Sequence, residues 1–116
     1  MTQKLTHVTS ANFEDQVNRS TAPVLVDFYA DWCGPCNMVA PVLERLAGSY
    51  AGRVKIVKVN VDEEGDLADR FQVSGIPTMI FFKDGKEVDR VVGALPASAL
   101  EEKVSSLAPQ ASLPGR

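Results

Sequence analysis

Val24-Leu25-Val26-Asp27-Phe28-Tyr29-Ala30-Asp31-Trp32-Cys33-Gly34-Pro35-Cys36 is the stretch on which the fold turns. Its first seven residues are rich in β-formers and apolar on both parities, the pattern of a strand buried on both faces. From Cys36 onward the period changes: Val39, Leu43, Leu46, Ala47 and Tyr50 recur at helical spacing, and Gly52 closes the stripe. Pro41 lies inside that stripe and is expected to kink the helix without abolishing it. A second apolar strand follows over Val54 to Val61. One long helix between two strands is the connection that parallel pairing requires.

Working outward, Thr9-Ser10-Ala11-Asn12-Phe13-Glu14-Asp15 offers capping residues and then early acids, which predicts a helix from near Ser10 to about Arg19. Asp66 to Phe71 reads as a short helix. The runs Thr78–Phe82 and Glu87–Val92 flank Asp84-Gly85, a hairpin signal. Pro96 stands where a helix can begin, with Leu100, Val104 and Leu107 on its apolar face. The sum is an α/β fold, a central mixed sheet of about five strands flanked by about four helices. One domain is expected over residues 1–108, with a disordered tail over 109–116.

The chain has 116 residues, 45% of them hydrophobic and 23% charged, enough for one core and no second domain. The formal charge is −3 and no Lys/Arg cluster suits a phosphate backbone, so nucleic acid is not an expected partner. No run approaches the roughly 18 apolar residues that span a bilayer. Met1 to His7 lacks the apolar centre of a signal peptide, so no membrane association and a cytoplasmic location are expected. A monomer is the expectation for this size and surface.

Only two cysteines are present, Cys33 and Cys36. A bridge between them closes almost no loop, so it is no structural staple. Zinc needs four ligands, and His7 alone remains in the Cys/His inventory, so no metal is expected. His7 is given no role. Thiol chemistry suits the placement better. Cys33 falls between strand and helix, where unpaired amide N–H groups and the helix dipole favour an anion. For a cysteine that anion is the nucleophilic thiolate, whose parent thiol titrates near about 8.5 when unperturbed. Residues one helical turn apart are close enough for a disulfide. Cys33 can therefore attack a substrate disulfide and Cys36 can resolve the mixed disulfide. Gly34 presents no side chain to an incoming protein, and Pro35 suits a first helical turn. Trp32 offers a flat apolar docking surface, with core filling as the plainer reading. Asp27, an acid inside an apolar strand, is expected to titrate high through desolvation.

At Trp32-Cys33-Gly34-Pro35-Cys36 the chain closely resembles the thioredoxin family. The similarity runs from Val24 to Leu107 and takes in Val26-Asp27-Phe28, Pro41, Lys58-Val59-Asn60-Val61-Asp62, Gly75-Ile76-Pro77-Thr78 and Val92-Gly93. The resemblance implies the thioredoxin fold. It implies that Asp27 is the buried carboxylate behind Cys36, serving it as proton acceptor and donor, and that Lys58 neighbours that carboxylate. It implies a cis-proline at Pro77, and a groove of Trp32, Gly34, Pro35, Ile76, Pro77, Val92 and Gly93 that receives an extended substrate segment. Asn37 departs from the usual Lys or Arg, which should weaken thiolate stabilisation slightly. Tyr29 replaces a frequent Trp, a matter of packing more than of chemistry. Ser74 and Pro96 also differ from common members.

Gly34-Pro35 is the pair that the resemblance associates with reducing members. The implied activity is reduction of protein disulfides, with electrons arriving from a separate thioredoxin reductase, since the chain has no dinucleotide fingerprint. No bound cofactor is expected. The rival readings are an oxidase or isomerase, marked by a reduction potential near about −180 mV or higher, and a binding module whose dithiol is idle.

Overall fold

The strands β1 (Thr6–His7), β2 (Val24–Tyr29), β3 (Lys55–Asn60), β4 (Thr78–Lys83) and β5 (Lys86–Val92) form one sheet, ordered β1-β3-β2-β4-β5. The structure is a computed structural model and describes residues 2–109. β1 and β2 both run parallel to β3, whereas β4 is antiparallel to β2 and to β5. A π-helical turn (Glu14–Asn18), α1 (Gly34–Ser49), α2 (Gly65–Arg70) and α3 (Ala97–Leu107) complete the architecture. The mixed α/β sheet is the expected one. The proposed disordered tail lies, from residue 110 on, outside the described residues.

All six residues of β2 are buried because the strand is central and covered on both faces. Leu25 faces α1 and α3 in a cluster with Val39, Leu43, Leu46, Leu100 and Val104. Val24, Val26 and Phe28 face the other way, packing with Phe13, Val17 and Leu67. Asp27 falls on the Leu25 parity and so on the α1 side of the sheet.

The hairpin forms where Asp84-Gly85 predicts it. Both residues have positive φ (53° and 78°), as a two-residue turn matched to the strand twist requires. Helix α1 continues through Pro41 and begins at Gly34 rather than Cys36, because Cys33 serves as its N-cap.

Two elements differ from expectation. The helix expected from near Ser10 to about Arg19 is only a π turn over Glu14–Asn18, in which the Arg19 N–H donates to the Glu14 carbonyl (2.9 Å). Its upstream residues are held instead in a turn, with the Thr9 N–H donating to Asn12 Oδ1 (2.8 Å). The fifth strand, β1, carries no sequence signal. Its two residues are exposed, and pairing with Val57 and Lys58 of β3 alone defines it.

Candidate active site

The Cys33 N–H donates to the Ala30 carbonyl (3.2 Å), turning the chain sharply from the end of β2 into α1. This puts Cys33 at the N-cap in an extended conformation, with Pro35 in the first turn, where its missing N–H costs no hydrogen bond. Cys33 and Cys36 are joined in a disulfide, with Cα atoms 5.2 Å apart. The Cys36 N–H donates to Cys33 Sγ at 3.2 Å, so the sulfur already occupies the anion-favouring position of the helix terminus. No acidic residue lies in the first turn of α1 to oppose a negative charge there.

Both cysteines are buried in this oxidised state, only 4% and 3% exposed, in a small apolar cluster with Tyr29, Ala30, Val61 and Ile76. Sulfur in such a setting is reached by a partner that docks closely, not by casual collision. The surface above is suited to docking. Trp32 is 70% exposed, which excludes the core-filling reading, and its Nε1–H donates to Asp62 Oδ2 (2.8 Å). Space around Gly34 is open where a Cβ would stand.

Of the other expected groove residues, Ile76 packs on the dithiol cluster. The Ile76–Pro77 peptide is cis, as the resemblance implies, and Pro77 is buried. The Gly93 N–H donates to the Pro77 carbonyl (2.7 Å), and Val92, exposed, lies 3.7 Å from the position a Cβ on Gly75 would take. Asn37 Nδ2 donates to the Asp31 carbonyl (3.2 Å), tying the loop before Cys33 to the helix.

On β2, Asp27 lies between Leu25, which packs on Val39 and Leu43 of α1, and Tyr29, which packs on the cysteines. Asp27 is 3% exposed, and its Oδ1 has no hydrogen-bond partner among the described residues. Burial pushes its carboxyl up to about 7, against the opposing pull of the Lys58 ammonium. Lys58 is half-buried and is the register partner of Asp27 on β3.

Two residues of this region were missed by sequence reasoning. Tyr29 does more than fill space, because its ring carries Lys58 Nζ 5.2 Å from its centroid. His7, given no role, pairs in register with Lys58, and its Nε2 lies 3.4 Å from the Tyr29 hydroxyl. The parity shared by Asp27 and Tyr29 was visible in the sequence, whereas the placement of His7 depends on a strand without a pattern. Among the described residues, no group of three or more His, Cys, Asp or Glu side chains could hold a metal ion. No helix there is long and apolar enough to cross a membrane.

A redox-capable cysteine pair closed over the first turn of a helix, at the carboxyl end of a central strand that carries a buried acid, defines a thiol–disulfide oxidoreductase. The chain belongs to the thioredoxin family, whose family model matches residues 4–106. It is 53% identical over 93 residues to thioredoxin 1 of Synechococcus elongatus, covering 80% of this chain and 87% of the relative. It is 52% identical over 97 residues to thioredoxin of Staphylococcus saprophyticus, covering 84% and 91%. With the chloroplastic M-type thioredoxin of Pisum sativum it shares 46% identity over 97 residues, covering 84% of this chain and 56% of that longer protein.

Proposed function

We propose that the chain reduces protein disulfides through Cys33 as nucleophile and Cys36 as resolving thiol, and that a thioredoxin reductase returns it to the dithiol form. The observation that carries this reading is the Cys33 sulfur at the cap of α1, already accepting the Cys36 N–H. In the reduced protein that position favours the thiolate. The Cys33 thiolate attacks one sulfur of the substrate disulfide, forming a mixed disulfide and expelling the other sulfur as a thiolate that takes up a proton. Cys36 then gives its proton to Asp27 and attacks Cys33 Sγ. The Cys33–Cys36 bond forms, the mixed disulfide breaks, and two electrons have passed to the substrate. An acid titrating at about 7 can accept that proton and return it near neutrality. Lys58 tunes Asp27. Trp32, Gly34, Pro35, Ile76, Pro77, Val92 and Gly93 form the surface on which an extended segment of the substrate lies.

The working unit is the domain over residues 1–108, acting as a monomer in a reducing cytoplasm. Gly34-Pro35 between the cysteines supports the reducing direction, and the relatives named above support the activity. The test is NADPH oxidation coupled through a thioredoxin reductase to reduction of insulin. Turnover that disappears in Cys33→Ser and in Cys36→Ser is expected. Absence of turnover in the unaltered protein, or a reduction potential near about −180 mV or above, overturns the reading.

A further inference from the structure

We propose that Tyr29 is a positioning residue for Asp27: its ring face seats the Lys58 ammonium beside the buried carboxyl, and His7 anchors that ring through the Tyr29 hydroxyl. This rests on the reading of Asp27 as the proton carrier and adds two residues to it.

Three adjacent strands bring the groups into line. His7 of β1, Lys58 of β3 and Asp27 of β2 are successive register partners, so their side chains leave the same face of the sheet. Tyr29 follows two residues after Asp27 on that face. Lys58 Nζ stands 5.2 Å from the Tyr29 ring centroid, within the range in which a cation is drawn to an aromatic face. A lysine on four flexible carbons has many positions open to it, and contact with the ring narrows them, on the sheet face that Asp27 shares. The ring itself is clamped from both ends. Its body packs on Ala30, Cys33 and Cys36, while its hydroxyl meets His7 Nε2 at 3.4 Å, with the two rings edge to face at 6.1 Å. A tryptophan, frequent at this position in the family, offers the face without the hydroxyl.

Among the described residues, Lys58 is the cation that lowers the Asp27 carboxyl. Lys58 and His7 come from β3 and β1, Asp31 and Glu63 from the flanking loops, and α1 brings no charged side chain before Glu44. Lys58 is thus the cation that opposes burial at Asp27.

The experiment follows the Asp27 carboxyl by carbon NMR through a pH titration of the oxidised protein, which needs no turnover. Lys58→Met raises the Asp27 midpoint by about one pH unit. Tyr29→Leu reproduces much of that rise, Tyr29→Trp restores the face and reverses it, and His7→Ala gives a smaller rise matching Tyr29→Phe. In the Lys58→Met background, Tyr29→Leu adds nothing. An unmoved midpoint in Tyr29→Leu, or an equal shift with and without Lys58, overturns the seating role; an unmoved midpoint in His7→Ala overturns the anchor. The proton-carrier reading fails separately, if Asp27→Asn leaves the pH profile of insulin reduction unchanged.

Discussion

At the scale of single residues, the buried carboxyl of Asp27 is held far from its ordinary titration range. A carboxyl with an unfolded value of about 3.9 is held at about 7 because the apolar strand environment disfavours its charge. Between those values the folded protein holds a proton that the unfolded chain releases. The associated stability is therefore complete below the lower value and lost as pH rises through the higher one. Compared with Asp27→Asn, the oxidised wild type should lose about 3 kcal/mol between pH 5 and pH 8. Guanidinium unfolding at the two pH values measures this, and a gap between the proteins that stays constant with pH would refute the buried acid. Glu87 and Asp89 are held low by Arg90 and Lys103, with opposite sign, but they are common to both proteins and cancel.

At the scale of elements, two glycines separate backbone need from partner need. Gly85 has φ +78, and a Cβ there would stand 3.1 Å from the Asn18 carbonyl oxygen, where the β4–β5 turn meets the π turn. Gly85→Ala should cost about 1–3 kcal/mol of stability, from strain at positive φ together with that contact. Gly34 has ordinary φ and open space, at the start of α1. Gly34→Ala should leave stability unchanged or raise it by up to about 1 kcal/mol, yet slow insulin reduction by placing a methyl group where a substrate lies. Thermal unfolding and the coupled assay together check the pair, and a stable Gly34→Ala with full activity removes Gly34 from the docking surface.

At the scale of the whole molecule, one sheet separates two cores. Leu100 belongs to the core under α1 and α3, and Val17 to the core under the π turn and α2. Both are fully buried. Leu100→Ala should cost about 2–5 kcal/mol and Val17→Ala somewhat less. Because they lie on opposite sides of β2, their effects should add to within about 0.5 kcal/mol in a single cooperative transition. Two separated transitions in denaturant would show that the sheet does not couple the cores.

Much of this molecule is written in short-range pattern. The apolar run from Val24, the helical stripe through Val39 and Leu43, the Asp84-Gly85 turn and the Cys33–Cys36 spacing each contain their own reason for the structure adopted. So does the high titration of Asp27, since an acid within a doubly buried strand has nowhere to hydrate. The cis peptide at Pro77 and the neighbourhood of Lys58 were available only through family resemblance. What tertiary structure alone decided is the company these residues keep. β1 is a strand because β3 offers it hydrogen bonds, and the early helix closes with the Arg19 N–H on the Glu14 carbonyl, as a π turn, which no local pattern announces. The meeting of His7, Tyr29 and Lys58 likewise follows from the order of strands in the sheet. Periodicity tells which face of an element is buried; only the packed chain tells which other element lies against it.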